Sequence, residues 1–430
     1  MFKNFIQKKL ERYVRAYFAK HSEVKLIVVT GSVGKTSTKT NIARMLSQKF
    51  RVGMQAGNHN TEMSAPLGIL GIDYPENIHS VLAWLTVFRA AKKRIKDPTT
   101  VDVIVQELGS ERPGEIPHFG TYLRPYIGVV TGITPEHMEF FGSIEKVAEE
   151  ELTMINFSEI GLINRDDAGG RFASFMTNAN IDTYGTTSAA EYRFEISDFS
   201  LEQGYTGQVI APEFTNEVAA SVHVVGEHSL RPVMASVAVA LKFGFSSEDI
   251  VEGLKGIAVV PGRMNLLRGQ NETLLIDDTY NSSPAAAEAA LRTLYSLDAP
   301  QRIAVLGSMN ELGADSQSEH EKLGGLCDPD LLAWVVTVGD EANRFLAPKA
   351  RARGCQVKSF ANALEAGGFV HSVMEKGAVV LLKGSQGNIY LEEATKMLLH
   401  STEEDRQLVR QSQQWMQTKS DFFSKTSTAS

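Results

Sequence analysis

The sequence predicts an α/β protein of two domains, each built on a mostly parallel sheet. Two observations carry this. Short apolar runs suited to buried parallel strands recur at KLIVVT (25–30), 101–108, 126–133, 160–166, 302–308, 333–339 and 378–385, with helical segments such as EKVAEEELTMINF and PVMASVAVALKFG among them. The chain has 430 residues, more than one core usually holds.

Taken in order, residues 1–24 read as a basic amphipathic helix. Phe2, Ile6, Leu10, Tyr13, Val14 and Tyr17 recur at helical spacing, and lysines and arginines outnumber acids around them. Such a helix can lie on an anionic membrane surface, or it can pack on the next domain with its basic face in water. Its ordinary apolar stripe favours packing. Residues 25–264 form the first α/β domain. Within it, 190–225 alternate in the manner of antiparallel strands, an appendage to the parallel sheet. Pro261 and Gly262 mark a hinge, and 265–417 restart the α/β pattern as a second domain. Residues 418–430 end in SKTSTAS, which offers no core, and are expected to be disordered.

Hydrophobic residues make up 43% and charged residues 22%, which fits a globular chain and excludes a disordered one. A net charge of −8 argues against wholesale nucleic-acid binding. Cys327 and Cys355 are too few for a disulfide framework or a cysteine zinc site, so a cytoplasmic location is expected. No secretory signal is visible, and the longest apolar stretch, IHSVLAWLTVFRAA, carries Arg89 and is too short to span a bilayer.

The sharpest chemical signal is TGSVGKTS (30–37), between a predicted strand and a predicted helix. Amides of such a loop (Gly31, Ser32, Val33, Gly34), with the helix start at Lys35, Thr36 and Ser37, bind phosphate oxygens. Lys35 would lie on the β/γ-phosphates of ATP and the Thr36 hydroxyl on Mg²⁺. Val29 stands where the usual P-loop has its first glycine, so this is a shorter variant. Glu107 and His137 follow further strands, at the sheet edge where α/β proteins bind ligands. Each also has a plainer reading, as a turn residue and as a hydrogen-bonded loop histidine.

These segments occur in order with QELGSERPGEI (106–116), TPEHMEFFGS (134–143), NRDD (164–167), GEH (226–228), PGRM (261–264), IDDTYNSSP (276–284), VLGSMNELG (305–313) followed by His320, and LLKGS (381–385). Together they resemble the Mur ligases over about residues 25–395. The resemblance implies a central P-loop ATPase domain and a C-terminal Rossmann-like domain. It implies that ATP phosphorylates a carboxylate and that an amine, such as D-alanyl-D-alanine, attacks the acyl phosphate. Thr36 and Glu107 would then hold one Mg²⁺ and His137 a second. Arg263 would reach the nucleotide phosphates, Asp278 the ribose, and Asn58 and Asn60 the reaction site. Asn310, Glu311, His320, Lys383 and Ser385 become candidates for the amine pocket.

Three departures matter. Only 29 residues precede the phosphate loop, where the family usually has a uridine-nucleotide-binding domain. A lipid-linked acceptor, a membrane contact through residues 1–20, or a partner protein supplying the missing surface are the expectations this raises. Where many members carry a carbamoylated lysine, ten positions past Phe141, this chain has Glu151. It is either a permanent carboxylate near the second metal or a solvated helix residue. Ser229 and Pro232 replace two asparagines, one of them near adenine, which puts adenine recognition in doubt. The expected activity is a peptide ligase in cell-wall precursor synthesis. The alternatives are a ligase for a lipid-linked or folate-type polyglutamate substrate, and a nucleotide-binding scaffold without ligase chemistry.

Overall fold

In the computed structural model, which describes residues 2–55, 59–75, 77–257 and 259–426, the chain divides into two units. The first comprises residues 1–134, 140–224 and 229–258, and the second comprises 135–139, 225–228 and 259–430.

The first unit is organised by strand β1 (Lys25–Thr30). Its side chains alternate between faces, Ile27 and Val29 entering one core while Leu26 and Val28 enter another. A strand buried on both faces needs helices on both sides, and it has them. The Lys35–Leu46 and Leu230–Lys242 helices cover one face through Ile42, Met45, Val233 and Val237. The Phe2–Lys20 and Val81–Lys96 helices cover the other through Leu10, Val14, Tyr17, Trp84 and Phe88. The first helix is therefore part of this unit's core, and its basic face stays exposed.

The remaining strands are β2 (Val52–Gly53), β3 (Val103–Glu107), β4 (Ile127–Val130), β5 (Ile160–Asn164), β6 (Ile181–Gly185), β7 (Tyr192–Ser200), β8 (Gly204–Ile210) and β9 (Val218–Val222). They join in the order β2-β3-β1-β4-β5-β6-β7-β8-β9. Pairing is parallel as far as β7 and antiparallel through β8 and β9, the appendage expected at 190–225. Register matters for the site. Val29 lies opposite Glu107 and Thr30 opposite Val130, so the ends of β1, β3 and β4 are level.

The second unit holds β10 (Asn265–Arg268), β11 (Leu274–Asp278), β12 (Arg302–Gly307), β13 (Trp334–Val338), β14 (Val357–Phe360) and β15 (Val379–Lys383), in the order β10-β11-β15-β12-β13-β14. Only β10 is antiparallel to its neighbour.

The expectation of disorder from residue 418 needs correction, because an α-helix runs from Gln413 to Thr426. Composition hid its anchors. Phe422 and Phe423 pack on Tyr390, and buried Lys419 pairs with Glu392 and Glu393. Glu392 in turn takes a bidentate contact from Arg410, with both bonds at 2.7 Å. Arg410 also donates to the carbonyls of Thr279 (2.6 Å) and Tyr280 (3.0 Å), fixing the loop that leaves β11. Residues 427–430 lie outside the described residues.

The same loop is held from inside by Asp277. Its carboxylate accepts from Thr279 Oγ1 at 2.6 Å and from the Gly262 amide at 3.1 Å. Burial pushes its pKa from an ordinary 3.8 up to about 7. A folded-state value above the unfolded one means stability that is complete below the unfolded pKa and is lost as pH rises through the folded one. Thermal melts from about pH 5 to about pH 8 should therefore fall more steeply for the native chain than for Asp277→Asn. Parallel curves would contradict the assignment.

Candidate active site

In the first unit the loop between β1 and the Lys35–Leu46 helix is shaped by two glycines. Gly31 has φ of 119°, and a Cβ there would stand 2.5 Å from Thr131 Oγ1, so no side chain fits. Gly34 precedes the helix with φ of 81°. It has no side chain to cap the helix, and the first turn carries no acidic residue. That N-terminus suits an anion. Lys35 Nζ donates to the Gly31 carbonyl at 2.5 Å and reaches the Ser32 carbonyl at 3.5 Å, folding over its own loop. The Ser32 amide donates to the Gly132 carbonyl at 2.9 Å, and its Oγ accepts from the Thr134 amide at 3.1 Å. A Cβ on Gly132 would stand 3.3 Å from Val33, and one on Gly34 would meet Pro232 at 3.9 Å. Ser37 is half-buried in the first helical turn.

Beside the loop is a buried carboxylate. Glu107 Oε2 accepts from Thr36 Oγ1 at 3.0 Å and lies 3.5 Å from Lys39 Nζ, while Oε1 accepts from Asn60 Nδ2 at 3.3 Å. Lys39 is itself buried, so the ion pair is largely shielded from water. Asn58 lies outside the described residues.

Glu151 is buried rather than solvated. Its Oε2 accepts from the Gly31 amide at 2.8 Å and from the Thr30 hydroxyl, so it braces the loop after β1. Its neighbour Glu150 holds the next loop, accepting from the amides of Gly114 and Ile116, each at 2.7 Å. Burial raises the Glu150 pKa. The NRDD segment also turns inward. Asn164 donates to the Thr131 carbonyl at 2.7 Å and to Asp167 at 2.8 Å, and Arg231 pairs with Asp167 at 3.0 Å.

In the second unit the loops leaving β11, β12 and β15 are tied together. Asp278 pairs with buried Lys383 at 2.7 Å and accepts from the Met264 amide at 3.2 Å. Lys383 donates to the Asn281 carbonyl at 3.0 Å. Ser385 Oγ accepts from the Asn310 amide at 2.9 Å and reaches the Ser282 carbonyl at 3.2 Å. The Asn310 side chain donates to the carbonyls of Gln386 and Gly387. His320 is fully buried. Its Nε2 accepts from the Met309 amide at 2.9 Å and its Nδ1 donates to the Ser316 carbonyl at 2.8 Å, which fixes one tautomer. Burial lowers its pKa and keeps it neutral. Arg263 stacks over Tyr280 at 4.3 Å. The structure groups His137 with this unit, its Nδ1 being 3.3 Å from the Glu311 carboxylate.

Known proteins bear on this arrangement. The family described as Mur ligase middle domain matches residues 29–240, and the Mur ligase, glutamate ligase domain matches 262–386. A UDP-N-acetylmuramoyl-tripeptide–D-alanyl-D-alanine ligase of Bacillus subtilis is 30% identical over 402 residues, covering 91% of this chain and 79% of the relative. This chain belongs to the Mur ligase family. Among solved structures, MurF of Acinetobacter baumannii is similar with a TM-score of 0.74 at 24% identity, covering 91% of this chain and 80% of that one. MurF ligase of Thermotoga maritima, solved in complex with ADP, is similar with a TM-score of 0.73 at 24% identity, covering 91% and 83%.

As a Mur ligase the chain is an ATP-dependent ligase, and a scaffold without that chemistry is no longer a competing reading. The structure gathers Gly31, Ser32, Val33, Gly34, Lys35, Thr36, Asn60, Glu107 and Glu151 in one unit, and Arg263, Asp278, Asn310, Glu311, His320, Lys383 and Ser385 in the other. Several engaged residues were missed. Lys39 stands one helical turn after Lys35, a spacing visible in GKTSTK. Arg231 and Arg410 had no local signal. Among the described residues no three His, Cys, Asp or Glu side chains gather as a metal set. Mg²⁺ needs none, since one carboxylate, one hydroxyl and phosphate oxygens suffice, and the Glu107–Thr36 pair fits that pattern.

Steady-state ATP turnover should fall by about 10²-fold or more in Lys35→Ala and in Glu107→Gln, with circular dichroism unchanged. Glu151→Gln should raise the KM for ATP, because an amide in place of a carboxylate weakens the grip on Gly31. An unaltered KM in Glu151→Gln would leave that residue a bystander.

Proposed function

We infer that this ligase joins D-alanyl-D-alanine, or a closely similar amine, to the peptide carboxylate of a UDP-N-acetylmuramoyl tripeptide. The substrate pair is the one named for the Bacillus subtilis relative, whose similarity runs through both units. That name specifies a uridine nucleotide rather than a lipid-linked peptide.

The observation that carries the ATP step is the buried Glu107 carboxylate, held by Thr36 and Lys39 beside the phosphate loop. Lys35 leaves its loop carbonyls to take phosphate oxygens, and the uncapped helix start adds its dipole. Thr36 and Glu107 would hold Mg²⁺, which, when bound, neutralises charge on the phosphoryl oxygens. The substrate carboxylate attacks the γ-phosphorus and ADP leaves. The amine then attacks the acyl phosphate, inorganic phosphate leaves, and the nitrogen gives up its proton. Lys39 and Asn60 keep Glu107 oriented throughout. The knitted loops around Asn310 and Ser385 supply a rigid frame for the amine substrate.

Phosphate release should require ATP, Mg²⁺, D-alanyl-D-alanine and the UDP-linked tripeptide together. Release with the same acceptor but only another amine would keep the chemistry and change the substrate. Release independent of any amine would overturn the ligase reading.

A further inference from the structure

One face of the first unit plays no part in the site described. The Phe2–Lys20 and Val81–Lys96 helices lie side by side and run in the same direction. Near their middles Lys9 Nζ sits 4.3 Å from the Phe88 ring, and near their ends Lys20 and His21 bond the carbonyls of Lys96 and Ile95. Their N-terminal ends therefore meet, and there the apolar residues are exposed. Leu82 is 76% exposed, Val81 59% and Phe5 57%, with Phe2, Ile78 and Leu85 beside them. Isolated exposed apolar residues are ordinary, but a cluster of large ones at one tip is not.

Behind the tip both helices are cationic. They carry eleven lysines and arginines and a single acid, in a chain whose net charge is −8. That acid, Glu11, is buried and bound to His118 at 2.7 Å. Lys8, Arg12, Arg89, Lys92 and Lys93 are exposed.

We propose that this face docks the protein on an anionic lipid bilayer. The apolar tip enters the boundary between headgroups and acyl chains, and the basic shafts lie over the headgroups. The charge pattern and the apolar tip together select this occupant. A nucleic-acid backbone would use the cations and leave Val81, Leu82 and Leu85 without a role. Neither helix is long and apolar enough to cross a membrane, so the contact is peripheral.

Vesicle flotation with the whole protein tests this. The native chain should float with phosphatidylcholine vesicles containing phosphatidylglycerol. Binding should be about tenfold weaker to pure phosphatidylcholine and weaker again in high salt. Phe5→Glu with Leu82→Glu, and separately Lys92→Glu with Lys93→Glu, should each reduce binding by about tenfold or more. Both pairs are at the surface, so circular dichroism and ATP turnover should stay unchanged. No flotation with anionic vesicles overturns the proposal. So does binding that survives the Phe5 and Leu82 changes, or displacement of the vesicles by a random RNA oligonucleotide.

Discussion

A carboxylate placed out of water costs several kcal/mol unless its surroundings return that energy, and the first unit's site is organised around this constraint at Glu107. The register of β1 and β3 puts Glu107 level with the end of β1. From there it draws in Thr36 and Lys39 from the helix and Asn60 from another loop. A helix start, a strand end and a loop are thus fixed to one charge. Glu151 does the same from below, tying the first loop glycine to the Ile144–Asn156 helix. Two acids set the position of a loop whose own sequence is mostly small residues.

The sheets and the strand–loop–helix at residues 25–46 were legible because their signals are local. A run such as KLIVVT followed by GSVGKTS reads as strand, turn and helix without knowledge of anything distant. The antiparallel appendage was legible for the same reason. What stayed hidden depends on partners far along the chain. Glu151 looked like one of three adjacent helix glutamates, and only its distance to Gly31 separates it from the exposed Glu149. His320 looked like a substrate ligand, yet both ring nitrogens are used inside the fold. The helix at Gln413–Thr426 had no strong apolar period, because ion pairs hold much of it.

Of the positions where this chain departs from the pattern of its family, Glu151 is buried. Pro232 lies close to the loop, its ring 3.9 Å from where a Cβ on Gly34 would stand, and it offers no side-chain hydrogen bond. The acidic balance of the chain as a whole also conceals strong segregation of charge, since two adjacent helices hold a quarter of its lysines and arginines. Net charge describes neither the site nor that face.

The relay from Lys419 through Glu392 and Arg410 to the carbonyls of Thr279 and Tyr280 has a consequence for biosynthesis. The loop it clamps is made some 130 residues before the arginine that clamps it. On the ribosome, where chains emerge from the N-terminal end, the first unit can complete itself early. The second cannot: its sheet can form and Asp277 can hold the β11 loop from inside, but the outer clamp waits for Arg410, close to the chain's last helix. Translation that stops short of Arg410 would leave the β11 loop without this clamp, while every residue of the first unit has already been made.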